Sequence, residues 1–271
     1  VVSNTSYPST NLSGMKSLVR FLTPRPVQPK KPLFIFLPGM DGTGTLLRTQ
    51  IDRLVPWFDL RCVEISPKDL SEWQPLARQV SHLIAQEVGE HRRPVYLCGE
   101  SFGGCLAMQV LTESPHLFDR LILVNPASSF RRLPWMHLGS LITRQLPSLA
   151  YRYSAYGFVP FLIEPFRVNR RDREALETAM KSVPVKTAAW RMAMLSRFEV
   201  ERLPLERMAQ PVLLIAGGND RLLPSTREAK SLQDRFPDAQ LTVLPDSGHA
   251  CLLETSTNLQ KILRQYQFLE P

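Results

Sequence analysis

Pro94-Val95-Tyr96-Leu97-Cys98-Gly99-Glu100-Ser101-Phe102-Gly103-Gly104-Cys105-Leu106-Ala107-Met108 is the stretch from which the fold can be read. It opens on an apolar β-type run at 94–98, and Gly103 to Met108 are all small or apolar. Between them, residues 99–103 read Gly-x-Ser-x-Gly. This is the nucleophile-elbow pattern, in which a strand turns sharply into a helix with a serine, here Ser101, at the apex. Such a turn holds its central residue in a strained backbone conformation, so the positions two residues either side must lack bulk. Gly99, Gly103 and Gly104 supply that room. The bland alternative makes Ser101 a small turn residue, and what stands before and after the motif has to separate the two.

Outward from the elbow, apolar strands alternate with amphipathic helices. Leu33–Leu37, Leu60–Ile65 and Arg120–Asn125 read as strands, and Leu76, Val80, Leu83, Ile84 and Val88 recur at helical spacing before the run at 94–98. A helix is expected from Phe102 to about Glu113. After an interruption the rhythm resumes with a strand at 211–216, a helix near 226–235, a strand at 240–244 and a closing helix near 252–268. Strands regularly separated by helices predict an α/β fold, a doubly wound and mostly parallel sheet. The expected organisation is a loose leader over 1–31, a core over 32–127 and 209–271, and a helical cap over 128–208. The cap segment shows no clear strand, carries many aromatics (Trp135, Tyr151, Tyr153, Phe161, Phe166 and Trp190 among them), and has helical pattern near 138–146, 171–182 and 187–197.

Bulk composition narrows the class. A chain of 271 residues with 44% hydrophobic and 21% charged residues suits one large globular domain with an insertion. No apolar stretch approaches the ~20 residues that span a bilayer, and the first thirty residues lack a secretory apolar core. The four cysteines, Cys62, Cys98, Cys105 and Cys251, lie beside apolar segments without metal-ligand spacing. Buried reduced thiols and a cytosol-like compartment follow as expectations. Net charge is +8, and residues 128–208 alone hold fourteen Lys and Arg against seven Asp and Glu. The excess is therefore local and mostly arginine. With no nucleic-acid motif or compact lysine cluster, nucleic acid is not an expected partner.

A serine hydroxyl becomes a nucleophile when a histidine takes its proton and a carboxylate orients that histidine. In this architecture the chain order is serine, acid, histidine. Gly217-Gly218-Asn219-Asp220 follows the strand at 211–216, and Ser247-Gly248-His249 follows the strand at 240–244. Chemistry in open α/β sheets gathers at the carboxyl ends of strands, so Ser101, Asp220 and His249 are expected on one edge. Asp220 also suits a plain turn residue. The other common place for the acid, after the strand at 120–125, holds Asn125, which carries no charge, and Asp246 is too near His249 in sequence. The developing oxyanion needs backbone donors. The N–H of Phe102 is one, and the loop Leu37-Pro38-Gly39-Met40-Asp41-Gly42-Thr43-Gly44 offers the N–H of Met40 as the other. That loop lacks the P-loop Gly-Lys-Ser/Thr and the full GxGxxG spacing, which argues against a phosphate cradle. No metal or organic cofactor is required.

On these residues the chain resembles the α/β-hydrolase superfamily from about residue 32 onward. More narrowly it is similar to the phytyl ester synthase group of plastids and cyanobacteria, through Leu-Pro-Gly-Met-Asp-Gly-Thr-Gly at 37–44, Gly-Glu-Ser-Phe-Gly-Gly-Cys-Leu-Ala at 99–107 and Leu-Val-Asn-Pro-Ala-Ser-Ser-Phe at 123–130. The resemblance implies a serine esterase, lipase or acyltransferase that joins fatty acyl groups to phytol or diacylglycerol. It also implies a plastid-stromal type compartment, with peripheral contact on a thylakoid-like membrane. Plant members also carry an acyltransferase domain with a His-x4-Asp motif. No histidine here has an aspartate five positions on, so any transfer would run through Ser101. The expected partners are a lipid-like ester or thioester, a long-chain alcohol, and an anionic membrane surface touched by the cap. A soluble carboxylesterase, thioesterase or carbon–carbon hydrolase on a small metabolite is the alternative within enzymes. A non-catalytic protein holding a hydrophobic ligand is the alternative outside them.

Overall fold

The apolar runs become one sheet in the computed structural model, which describes residues 18–89, 92–133 and 159–269. Its strands are β1 (Val19–Leu22), β2 (Leu33–Leu37), β3 (Asp59–Ile65), β4 (Val95–Glu100), β5 (Arg120–Val124), β6 (Val212–Gly217) and β7 (Ala239–Leu244). They lie in the order β1-β3-β2-β4-β5-β6-β7, and every pairing is parallel except that of β1 with β3. The fold is an α/β-hydrolase sheet. Every residue of β2, β4 and β6 is buried, because parallel strands covered on both faces read as continuous apolar runs.

The larger helices are α1 (Trp73–Val88), α2 (Phe102–Glu113), α3 (Arg170–Ser182), α4 (Val185–Ser196), α5 (Ser225–Gln233) and α6 (Leu259–Gln265). Alternation along each strand divides the core between the two faces. Leu33, Ile35, Leu37 and Leu97 pack with α1, α2, α5 and part of α4. Phe34, Phe36, Tyr96 and Cys98 pack with α6 and the residues around Leu54 and Phe58. The chain steps from β2 outward to β3, then crosses back over β2 to β4. The carboxyl ends of β2 and β4 therefore sit side by side, with Leu37 opposite Gly99, at the point where the winding reverses. That is where an open α/β sheet leaves a crevice.

The leader expected over 1–31 is partly strand: Val19–Leu22 adds an antiparallel edge to β3. Val19 is buried and Arg20 pairs with Glu64 across the ladder, a pairing that four residues of sequence do not announce. The closing helix is shorter than its expected 252–268. A 3-10 turn at Cys251–Leu253 comes first, and α6 starts only where the Asn258 side chain caps the N–H of Lys261. Glu254, between the two, turns its side chain inward instead of continuing a helix. β3 carries a buried charge in Arg61, 2% exposed. Asp59 and Glu87 neutralise it at 2.8 and 2.5 Å.

Between β5 and β6 the insert supplies α3 and α4, and no strand occurs among its described residues. Its expected helix at 138–146 and the aromatics Trp135, Tyr151, Tyr153, Tyr156 and Phe158 lie outside the described residues. Val159, Ile163, Val168, Leu176 and Ala179 of the insert form a third apolar cluster with Leu46, Ala250 and Leu253 of the core. All four cysteines are buried and free, and burial pushes the Cys62 thiol up to about 12. Among the described residues no helix is long and apolar enough to cross a membrane.

Candidate active site

Ser101 joins β4 to α2 with φ 57° and ψ −115°, in the strained region that L-residues rarely adopt. Its N–H donates to Val124 O at 3.0 Å, and its carbonyl accepts from Gly104 and Ala127, both at 3.0 Å. The strain is imposed by close packing of the helix start on the neighbouring strand. A Cβ at Gly103 would lie 2.1 Å from the Leu37 carbonyl oxygen, so no other residue fits there.

The three residues expected to converge do so. His249 Nε2 lies 2.8 Å from Ser101 Oγ, and His249 Nδ1 lies 2.7 Å from Asp220 Oδ2. Each sits beyond a different strand end: β4, β6 and β7. Asp220 is held by more than the imidazole. Its Oδ1 accepts the N–H groups of Leu222 and Leu223 at 2.8 and 3.0 Å, and Oδ2 also accepts the Ser225 hydroxyl. Burial pushes this carboxyl up, but the His249 beside it and these hydrogen bonds outweigh burial and hold it below the ordinary aspartate value. Burial pushes the His249 imidazole down, and the charge and hydrogen bond of Asp220, with the charge of Glu100, outweigh that and raise it above the ordinary histidine value. With the carboxylate ionised on Nδ1, Nε2 is left to face the serine hydroxyl.

Met40 and Phe102 follow the carboxyl ends of the neighbouring strands β2 and β4. Among the described residues neither N–H donates to another group. Asp246 is 81% exposed, on the surface away from the imidazole's Nδ1 contact. His82 lies on α1, and His116 lies in the turn after α2 that leads into the amino end of β5. Among the described residues no group of three or more His, Cys, Asp or Glu side chains is gathered as a metal site.

Three features of the site escape a reading of sequence alone. Asn125, considered above only as an unsuitable acid, is fully buried at φ 42° and ties both loops together. Its Oδ1 accepts from Gly217 N–H at 2.7 Å, and its Nδ2 donates to the His249 and Gly248 carbonyls at 2.6 and 3.3 Å. Glu254, also fully buried, accepts from Gly248 N–H and the Ser247 hydroxyl, both at 2.8 Å, and from Arg167 at 2.7 Å. Glu100, next to the serine, is buried, and one of its carboxyl oxygens finds no partner among the described residues. Burial, with Asp41 adding to it, raises that carboxyl to about 7 against the opposing pull of His249 and the Leu252 N–H.

The Alpha/beta hydrolase family matches this chain over residues 34–259. Phytyl ester synthase 1, chloroplastic, of Arabidopsis thaliana is 30% identical over 264 residues, covering 89% of this chain and 37% of that protein. A pimeloyl acyl-carrier-protein methyl ester esterase of Nitrosomonas europaea is 29% identical over 164 residues, covering 58% of this chain and 65% of that one. Among solved structures, a thermophilic esterase from Thermogutta terrifontis aligns with a TM-score of 0.73 at 18% identity, over 92% of this chain and 93% of that one, a likeness of fold. The chain spans about 37% of the length of the chloroplastic relatives it matches.

Asn125→Asp replaces the donor to two carbonyls with a carboxylate aimed at them. Its expected cost is about 1–3 kcal/mol of unfolding free energy, read by urea denaturation. An unchanged midpoint would show that Asn125 does not hold the two loops.

Proposed function

The chain belongs to the alpha/beta hydrolase family, and within it we propose a serine acyl-hydrolase or acyltransferase that acts on lipid-like esters. The observation that carries the reading is the hydrogen-bonded series Ser101–His249–Asp220, at 2.8 and 2.7 Å, on a strained turn. In the first half-reaction, His249 Nε2 takes the Ser101 proton as Oγ bonds to the acyl carbon. The carbonyl oxygen becomes an oxyanion received by the N–H groups of Met40 and Phe102. The ester C–O bond then breaks, His249 returns the proton to the departing alkoxide, and the acyl group remains on Ser101. In the second half-reaction His249 takes a proton from water or an alcohol as its oxygen attacks the acyl carbon, and returns that proton to Ser101 Oγ as the acyl–Oγ bond breaks.

Transfer to an isoprenoid alcohol is favoured by the similarity to a protein named phytyl ester synthase over 89% of this chain. Hydrolysis of a smaller ester is the second reading, supported by the similarity to a methyl ester esterase over 58% of it. The insert acts as a cap over Ser101. Phe166 is 98% exposed and Phe161 48% on it, with Arg170 and Arg171 exposed beside them. That combination suits an anionic lipid surface, with rings entering the interface and guanidinium groups among the headgroups.

A serine-directed fluorophosphonate is expected to label the folded wild type and not Ser101→Ala. Given a fatty acyl donor and phytol, the wild type is expected to form the phytyl ester. Free fatty acid alone would favour hydrolysis, and labelling that survives Ser101→Ala would remove Ser101 from the chemistry.

His249 must be neutral to accept the proton, and its folded value is raised above the ordinary 6.5. Activity as kcat/KM is therefore expected to be lost as pH falls through a midpoint above 6.5. Asp220→Asn should move that midpoint down and lower kcat on the order of 10⁴-fold. A midpoint unmoved by the substitution would separate Asp220 from the titration.

Co-sedimentation with vesicles containing phosphatidylglycerol should be weakened by Phe166→Ala and by high salt. Equal sedimentation of wild type and variant would argue against contact through the cap.

A further inference from the structure

Arg191 is among the largest fully buried side chains, although it comes from the arginine-rich segment that holds most of the chain's excess charge. A guanidinium stays charged in a folded protein, and burying it is costly unless its hydrogens are satisfied. Here Nη1 donates to the Met40 carbonyl at 2.7 Å, and Nη2 reaches the Ile65 and Ser66 carbonyls at 3.4 and 3.3 Å. The guanidinium carbon also stands 6.0 Å from the centre of the Phe102 ring. The two core residues with N–H groups free to meet an oxyanion are thus both touched by one side chain from the insert.

Helix α4 is seated so that this contact is fixed. Thr187 donates to the Pro67 carbonyl, Trp190 to the Ser71 carbonyl at 3.0 Å, and Met194 O accepts from Trp73 Nε1 at 3.0 Å. With Arg191, these positions share one helical face. On the other side of the contact, Gly42 N–H closes a tight turn onto Gly39 O at 3.0 Å, with Met40 and Asp41 at its corners. Gly42 has φ 69°, and a Cβ there would lie 2.5 Å from Arg191 Nη1. The guanidinium lies against the turn itself.

We propose that Arg191 is a positioning residue for the oxyanion hole, so that the hole is complete only when the cap helix is docked. The inference rests on the Ser101 chemistry proposed above. The Met40 N–H can point at a substrate only if the peptides on both sides of Met40 are fixed. The Gly39–Gly42 turn restrains one of them, and Arg191 holds the carbonyl of the other. A loop with glycine at 39, 42 and 44 has other conformations within easy reach, and a donor displaced by about 1 Å no longer meets the oxyanion.

Arg191→Lys and Arg191→Met in the full chain test this with a p-nitrophenyl ester and a trifluoromethyl ketone, whose carbonyl adds Ser101 Oγ to form an oxyanion. Loss of a hole donor costs about 10²–10³ in kcat, and loosening one is expected to cost about 10- to 100-fold. KM should stay within about threefold, and the acid-limb midpoint should match wild type because His249 is untouched. Affinity for the ketone should fall by the same factor as kcat/KM, and affinity for the fatty acid product should not. Unchanged kcat in a folded variant overturns the proposal, as does a fall in kcat without a matching loss of ketone affinity. If the methionine variant does not fold, the lysine variant, which keeps the charge without the fork, decides the matter. Failure of the Ser101 reading looks different, with no ketone adduct on the wild type and undiminished turnover by Ser101→Ala; that result overturns both.

Discussion

The backbone of Gly103 meets the carbonyl of Leu37 so closely that a methyl group there would stand 2.1 Å from the oxygen. This contact sets the start of α2 against the end of β2. It holds Ser101 at φ 57° with the start of the Met40 loop beside it, where a Cβ at Gly39 would lie 3.8 Å from Ser101 Cβ. Strain of this kind persists only where the surroundings over-determine it. Here the parallel register of β2 with β4 and the stacking of Phe102 on Trp73, with centroids 4.7 Å apart, provide that determination.

The imidazole faces a different problem, since its loop follows an edge strand that is only partly buried. Two buried polar residues compensate. Asn125 and Glu254 satisfy the backbone on either side of His249 with bonds that leave little room for rotation. The insert contributes as well, with Ala250 N–H donating to Leu162 O at 2.7 Å and Glu164 accepting from Asn219 and Arg221 on the acid's loop. The segment that departs furthest from the α/β rhythm therefore braces the loops of both Asp220 and His249, and through Arg191 the loop of Met40. If the chain holds an acyl group on Ser101 as proposed, coupling the insert to the loops around Ser101 would link substrate enclosure to activation.

The residues proposed to carry the chemistry were legible because their environments are local. Ser101 is announced by glycines within three positions of it. Asp220 and His249 follow apolar runs whose ends the pattern locates. Residues whose partners lie far along the chain were not legible in the same way. Val19 gains its strand only by pairing with Ile65, and Glu254 looks like one more polar position in an expected helix until Gly248 and Arg167 are brought to it. Arg191 is one of fourteen basic residues in the insert, and although the run Ala188–Leu195 around it is otherwise apolar, nothing in that run names the Met40, Ile65 and Ser66 carbonyls that receive its guanidinium.

By itself the sequence determined the alternation of strands and helices, the strand-turn-helix at Ser101, and the placement of Ser101, Asp220 and His249 beyond three strand ends, because hydrophobic period and turn chemistry act over a few residues. Only the tertiary structure decided which polar side chains would be buried. Asn125, Glu254, Glu100 and Arg191 are each buried by elements distant in sequence. The cost of leaving a buried polar group unpaired selects their partners only after the sheet, the loops and the insert have come together.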